Sequence, residues 1–333
     1  MDPLTQGVFG AIAAQLPAPR QQLRRAAIIG AVAGMSPDLD VLIRSNTDPL
    51  LALEYHRHFT HALLFIPIGG LLCGLLAYAV LGKVWRLNVW QCVAWAVLGF
   101  ATHGLLDACT SYGTRLLWPV RDQRIAWDLV SVIDPVFSGV LALLLIVGLL
   151  QHKRVYAVAC IGWIAIYFSI AAVQHQRALT FGETLAANRG HQIHRLHAKP
   201  SFGNIVVWKI IYQHDQTFFV DAVKLGFTQS RHWSGQSIDK LDIARDFPWL
   251  DPQSQQARDI ERFREFSADF VALDPVNPHR IGDIRYSQLP QEIKPLWAIE
   301  LSASATADQH AIYVTQRDNS SQALQQLLHM IWR

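Results

Sequence analysis

The hydrophobic residues of this chain gather in its first half, in runs longer than a soluble core requires. Residues 62–82 are uncharged throughout and long enough to cross a hydrocarbon layer of roughly 30 Å. Residues 155–174 form a second uncharged run of similar length. Two further runs are apolar for most of their length but carry ionisable groups at one end. Residues 89–102 lead into His103-Gly-Leu-Leu-Asp107, and Asp134-Pro135 opens a run that continues to Leu150. The pattern predicts four spanning helices. Upstream, residues 4–16 and 26–35 are apolar but too short to cross unaided, with Arg20, Arg24 and Arg25 between them. A short N-terminal helical hairpin dipping into the membrane fits these lengths, and buried soluble helices fit them too.

After residue 200 the pattern changes. Residues 204–212 and 217–224 read as strands joined by a polar turn at His214-Asp215. Residues 254–272 have helical periodicity with abundant charge, 311–316 read as another strand, and 321–332 as an amphipathic closing helix. The expected architecture is an all-α membrane-embedded bundle over residues 1–180, a junction over 181–199, and a small soluble α+β domain over 200–333. No internal repeat or low-complexity tract interrupts it.

Composition sharpens this division. Of 333 residues, 51% are hydrophobic and 17% charged, against about 25% charged in an ordinary soluble domain. Residues 1–174 hold 12 Lys/Arg and 9 Asp/Glu, whereas the rest hold 17 of each. The net charge of +3 therefore lies in the apolar half, which is not the footprint of a nucleic-acid binder. Under the four-helix count, Arg20, Arg24, Arg25, Lys83, Arg86, Lys153 and Arg154 fall in short loops on one side, which should be cytoplasmic. The other side, with everything after Gln174, should face out of the cytoplasm. Cys73, Cys92, Cys109 and Cys160 lack CxxC spacing and are expected to pack as small apolar side chains. Met1-Asp2-Pro3 lacks a basic n-region, so no cleavable signal peptide is expected.

Ionisable groups at the ends of membrane helices cost free energy unless paired, hydrated or metal-bound. Five separated segments carry them: Pro37-Asp38-Leu39-Asp40, His56-Arg57-His58-Phe59-Thr60-His61, His103-Gly-Leu-Leu-Asp107, Thr110-Ser-Tyr-Gly-Thr-Arg115, and Asp134-Pro135. The helix count puts all five on one face. His103 and Asp107 share one side of a helix and can grip one cation, or one ion each. An extended or turn backbone at Asp38 and Asp40 would point both carboxylates the same way. Asp38, Asp40, His56, His61, His103 and Asp107 together offer the imidazole–carboxylate mix of Zn²⁺ or of Mn²⁺ and Fe²⁺. His191, His194 and His197, spaced three apart in a charged junction, are not expected to bind metal, and His58 points away from His56 and His61 on a helix.

With these residues in view, the first half resembles the YdjM-like family of inner-membrane-associated metal-dependent hydrolases. The likeness runs over residues 1–180, through Met1-Asp-Pro-Leu-Thr5, Pro37-Asp38-Leu39-Asp40, the His56-Arg57-x-x-Thr60-His61 box, Thr102-His103-x-Leu-Leu-Asp107, Thr110-x-Tyr112-Gly113-Thr114, Leu117-Trp118-Pro119 and Asp134-Pro135. Here Thr5 is followed by Gln6 where many members carry histidine, and His58 stands where they carry glycine. More distantly, the HxxxD pattern with upstream Asp and His is similar to the zinc phospholipase C and P1 nuclease superfamily. The resemblance implies a multi-pass protein of the bacterial inner membrane that binds a divalent metal, zinc first among candidates, and hydrolyses a phosphoester through a metal-activated water.

Asp38, Asp40, His56, His61, His103 and Asp107 are the expected ligands of one to three cations. Asp40, Arg57 and Arg115 are the expected catalytic residues, the two guanidiniums clamping an anionic substrate. Asp2 and Asp134 are further ligand or orienting candidates; Thr60, Thr110 and Tyr112 would orient ligands. Membrane lipids and a lipid-linked phosphoester are the expected partners, while the sequence assigns no protein partner to the C-terminal domain. The alternative is a non-enzymatic membrane scaffold or stress-linked regulator held by a structural metal or polar network. A transporter is disfavoured, because the ionisable residues stop at one face.

Overall fold

The computed structural model describes residues 1–317 and 320–332. They fall into two compact units: Met1–Leu42, Tyr55–Val173 and Phe202–Asn204 in the first, Ile43–Glu54, Gln174–Ser201 and the chain from Ile205 onward in the second.

The first unit is helical. Helix α1 (Pro3–Gln15) starts where Asp2 caps it, its carboxylate accepting from Thr5 N, with proline in the first turn. Helix α2 (Leu23–Met35) returns antiparallel to α1. Their approach is so close that a Cβ on Gly30 would lie 2.2 Å from Gly10 O and 2.5 Å from Ala14 Cβ. Only glycine permits that separation, a common device where helices pack by van der Waals contact in membranes. A short 3₁₀ segment (Ser36–Leu42) and helix α3 (Leu51–Tyr55) follow.

Helix α4 (Ile66–Ala77), a π-helical turn (Tyr78–Gly82) and α5 (Lys83–Trp85) run on within one apolar stretch, Leu63–Trp85. With α6 (Val89–Ala108) and α8 (Val155–Asn188), this makes three helices among the described residues that are long and apolar enough to cross a membrane. Leu64, Ile68, Leu72 and Leu76 stand exposed along the Leu63–Trp85 stretch, an apolar surface that lipid, rather than water, would cover.

The expected fourth span is a shorter helix. Helix α7 (Pro135–Gln151) has 17 residues, which rise only about 26 Å. Asp134 fixes its start by accepting from Phe137 N, and His152 ends it in the left-handed region at φ 54°. Three candidate spans, rather than four, are therefore established by length.

The short basic loops meet at one end of the unit. Arg25 donates to Trp85 O at 2.8 Å, Arg24 to Leu149 O at 3.2 Å, and Arg154 to Ala18 O. Each guanidinium satisfies a carbonyl left over where a helix or turn ends. Helix α6 runs from this end to Asp107, about 27 Å away at 1.5 Å per residue.

The second unit carries two antiparallel sheets. One has β1 (Arg195–Pro200), β2 (Val207–His214), β3 (Thr217–Leu225) and β4 (Ser230–Trp233) in order, with β5 (Ser237–Asp239) also on β3. The predicted hairpin is its centre, with His214 opposite Thr217. Residues 181–199 hold the last turns of α8 and the opening of β1. Helices α9 (Ile243–Asp246) and α10 (Gln255–Phe266) lead to the second sheet, β6 (Val271–Leu273), β7 (Arg280–Asp283), β8 (Trp297–Glu300) and β9 (Ile312–Thr315), and α11 (Ser320–Trp332) closes the chain. Arg262 of α10 pairs with Asp48 and Glu54, tying the 43–54 segment into this unit.

Replacing Gly30 by valine should lower the thermal midpoint of the detergent-solubilised protein sharply, at or above the upper end of the roughly 1–3 kcal/mol cost of over-packing. Gly139→Ala in α7 is the control, because its Cβ meets nothing within 4 Å. Equal midpoints for the two variants would show that the glycine contact does not hold the hairpin.

Candidate metal centre

Four of the five ionisable segments converge at the far end of α6. The Asp38–Asp40 step is a 3₁₀ helix, and it brings an oxygen of each carboxylate within 4.8 Å of the other and of a His56 nitrogen. Asp38 stays about one-fifth exposed, whereas Asp40 is fully buried. His61 arrives from a 3₁₀ turn (Phe59–His61), and His103 and Asp107 from the last turns of α6. Gly104 lets these two elements touch, since a Cβ there would lie 2.2 Å from His61 O.

Asp38, His61, His103 and Asp107 form one group whose candidate ligand atoms all lie within 4.8 Å of one another. Its measured edges are 2.9 Å between His61 Nε2 and His103 Nε2, 3.3 Å and 3.5 Å from Asp38 Oδ1 to the two imidazoles, and 3.3 Å and 3.8 Å from Asp107 Oδ2. A tetrahedron with bonds of 2.0–2.1 Å has edges of about 3.3 Å. The cage has that size.

Protons lead to the same conclusion. His103 Nδ1 lies 2.5 Å from Gly34 O, and a carbonyl only accepts, so the proton sits on Nδ1 and Nε2 presents a lone pair. His61 Nδ1 lies 3.0 Å from the Thr60 hydroxyl, which gives its own proton to Asp40 Oδ2 and so accepts from the imidazole, fixing the same tautomer. Two lone pairs and two carboxylate oxygens thus face one buried point. Such a point demands a cation or a proton. Asp107 Oδ2 has no hydrogen bond there, although Arg57 Nε is 2.9 Å away. The donor set fits a divalent metal.

The second group is Asp38, Asp40 and His56. His56 Nδ1 lies 2.8 Å from Asp40 Oδ1, and its side chain is about one-quarter exposed. Asp40 Oδ2 is saturated, accepting from Arg57 N at 2.9 Å and from the Thr60 hydroxyl at 3.0 Å. Asp38 belongs to both groups.

The electrostatics follow from this crowding. Burial opposes the charged form of His61, but the Asp107, Asp38 and Asp40 carboxylates outweigh it and push its pKa up to about 10. Burial likewise opposes ionisation of Asp38, yet bonds to His103 and His61 hold its carboxyl far below the usual range. His56 and His61 do the same for Asp40.

The remaining expected site residues are distributed unevenly. Arg57 adopts a left-handed backbone at φ 62°, a strained state. It persists because its N–H binds Asp40 while its guanidinium reaches Asp107 and Thr110 Oγ1, the latter at 2.8 Å, and stacks over Tyr112. Arg57 therefore braces a ligand. Thr110 also donates to Asp107 O. Arg115 is buried and pairs with the exposed carboxylate of Asp122. Asp2 and Asp134 are not brought to the cluster: Asp2 caps α1, and Asp134 caps α7 while accepting from the Tyr167 hydroxyl at 2.5 Å. His58 packs against Trp118 and Tyr55. Among the described residues, His191, His194 and His197 form no ligand group.

Sequence reasoning missed three participants, the first being the Met1 ammonium, which is buried and donates to Asp107 Oδ1. Gln6 is fully buried and donates to Asp107 Oδ1 at 2.8 Å. Gly34 O, a carbonyl of the last turn of α2, orients His103. A carbonyl carries no side-chain signal, but a glutamine four residues after the Asp2 cap of an apolar helix is a readable one.

The model of the YdjM inner membrane protein family matches residues 1–178. Inner membrane protein YbcI of Escherichia coli (strain K12) is 32% identical over 108 residues, covering 31% of this chain. The chain spans only about 60% of the length of that relative. No solved structure matches.

Because metal-free His61 holds a proton that a cation must displace, zinc binding to the four-ligand group should release one proton. In a His56→Ala protein, which keeps that group alone, affinity should rise about tenfold per unit between pH 6 and 8. A pH-independent affinity would mean that zinc does not enter between these imidazoles.

Proposed function

The chain belongs to the YdjM inner membrane protein family, and from that premise we propose that it is an integral inner-membrane hydrolase dependent on a divalent metal, zinc first. The observation that carries this reading is the contrast between the two groups. The four-ligand group is buried on three members and closed, as structural zinc sites are. The Asp38–Asp40–His56 group offers three ligands on the more open side, the arrangement that leaves a position for water. A bound cation there supplies Lewis acidity, lowering the pKa of water toward about 7.

The chain's own residues do the rest. Asp40 holds His56, and Thr60 holds both Asp40 and His61. Arg57 balances the charge of Asp107 within the site. Arg115 is paired with Asp122, whose side chain is 64% exposed, so an incoming phosphate can exchange for that carboxylate. A phosphoester substrate is favoured by this guanidinium and by the similarity of the His/Asp pattern to zinc phospholipases and nucleases. The site lies at the end of a spanning helix, which suits a lipid-linked substrate.

We extend the proposal to topology. Helix α7 serves as a fourth span, its apolar length supplemented by Val132 and Ile133 before the Asp134 cap. The gathered basic loops lie in the cytoplasm, and the metal centre opposite them faces outward with the C-terminal unit. A non-enzymatic scaffold stapled by metal is the second reading, favoured by the closure of the four-ligand group alone.

Zinc-loaded protein in mixed micelles should hydrolyse phospholipid or generic phosphodiester substrates. His56→Ala should abolish turnover while retaining one zinc, and Thr60→Val should reduce it about 10–100-fold through loss of ligand orientation. Full zinc occupancy without turnover on a broad phosphoester panel would leave the scaffold reading in its place.

A further inference from the structure

The apolar part of α8 ends at Val173, and the next polar side chains are committed at once. Gln174 Nε2 donates to Leu225 O at 2.8 Å and to Ile205 O at 3.4 Å. Arg177 Nη2 donates to Gly226 O at 2.7 Å, while its Nη1 donates to Gln174 Oε1 at 2.5 Å. Leu225 and Gly226 open the β3–β4 turn, which Gly226 N closes on Gln229 O at 2.9 Å. The turn is thus hooked to the helix at the level where the helix leaves its apolar stretch.

At the tip stands Phe227, 105% exposed, the most exposed large apolar side chain among the described residues. A phenyl ring wholly in water forgoes the free energy of burial. Its depth explains the placement. From Val173 to Arg177 the helix rises only about 6 Å, within the headgroup layer of about 5–8 Å that flanks the hydrocarbon on each side. Within the first unit, Phe202 is 50% exposed beside Gly203, whose N–H donates to Ser131 Oγ at 3.0 Å, three residues before the cap of apolar helix α7. Phenylalanine is among the apolar side chains that membrane-surface segments bury at the boundary of headgroups and acyl chains.

We propose that the β3–β4 turn docks on the leaflet that α8 leaves, with Phe227 inserted among the lipid headgroups. Its partner is the bilayer surface. The turn thereby fixes the tilt of the α8 exit, since Gln174 and Arg177 couple the two rigidly. The inference rests on α8 crossing the membrane and is independent of the hydrolase reading.

The test uses the full chain in nanodiscs of phosphatidylethanolamine and phosphatidylglycerol, with Cys73, Cys92, Cys109 and Cys160 replaced by alanine. A spin label at Phe227→Cys is compared with one at Val276→Cys, a 75% exposed position on the second sheet's turn. The expected result is a several-fold lower collision rate with a water-soluble nickel reagent at 227 than at 276, together with higher oxygen accessibility. Equal nickel accessibility at the two positions would overturn the proposal. So would shielding of 227 from both reagents, which would place the ring against protein, in a second copy or another partner. Both variants lie on exposed turns, and elution matching the parent protein confirms that the labelled chains are folded.

Discussion

Two imidazole nitrogens, His61 Nε2 and His103 Nε2, face each other at 2.9 Å with carboxylates on either side, and the rest of the first unit is arranged around that contact. Lone pairs at this distance repel in a medium of low dielectric unless positive charge lies between them. The constraint reaches outward from there. His103 can present its lone pair because its Nδ1–H donates to Gly34 O, and His61 because its Nδ1–H donates to the Thr60 hydroxyl. Asp40 is held by Thr60 and by the backbone of Arg57, and Arg57 returns to Asp107. Each ligand is thereby positioned by a group that is itself positioned.

Helix packing and site chemistry share the same residues. The close approach of α1 and α2 at Gly10 and Gly30, and of α6 at Gly99, carries the last turn of α2 against α6. One carbonyl of that turn is the acceptor that His103 needs. The same packing seals Gln6 beside Asp107. Glycine is not expensive in this seam, because van der Waals contact between backbones is the main attraction open to helices in lipid.

Much of this could be read from the chain. Apolar runs located α4, α6 and α8, and imidazoles and carboxylates from three of the five ionisable segments gathered in the two ligand groups, because burial leaves such groups few alternatives. The hairpin of β2 and β3 showed its strand character through continuous β-branched and aromatic residues. What escaped had weaker signals. Helix α7 is apolar enough for a span, but the distance between its cap and its left-handed stop is set by backbone geometry that hydropathy does not encode. Asp134 looked like a ligand because caps and ligands use the same carboxylate. Nothing local indicated that Arg57 would lie beside Asp107. The short strands β4 to β8 are stabilised by pairing with distant partners, so three or four residues carried no period to detect.

The most direct measurement is an anomalous difference map collected at the zinc absorption edge from crystals of the zinc-loaded protein. The account predicts two peaks that share Asp38, one of them about 2.0–2.2 Å from His61 Nε2 and His103 Nε2. A map with His61 and His103 well ordered, and no peak between them and the carboxylates of Asp38 and Asp107, would contradict it.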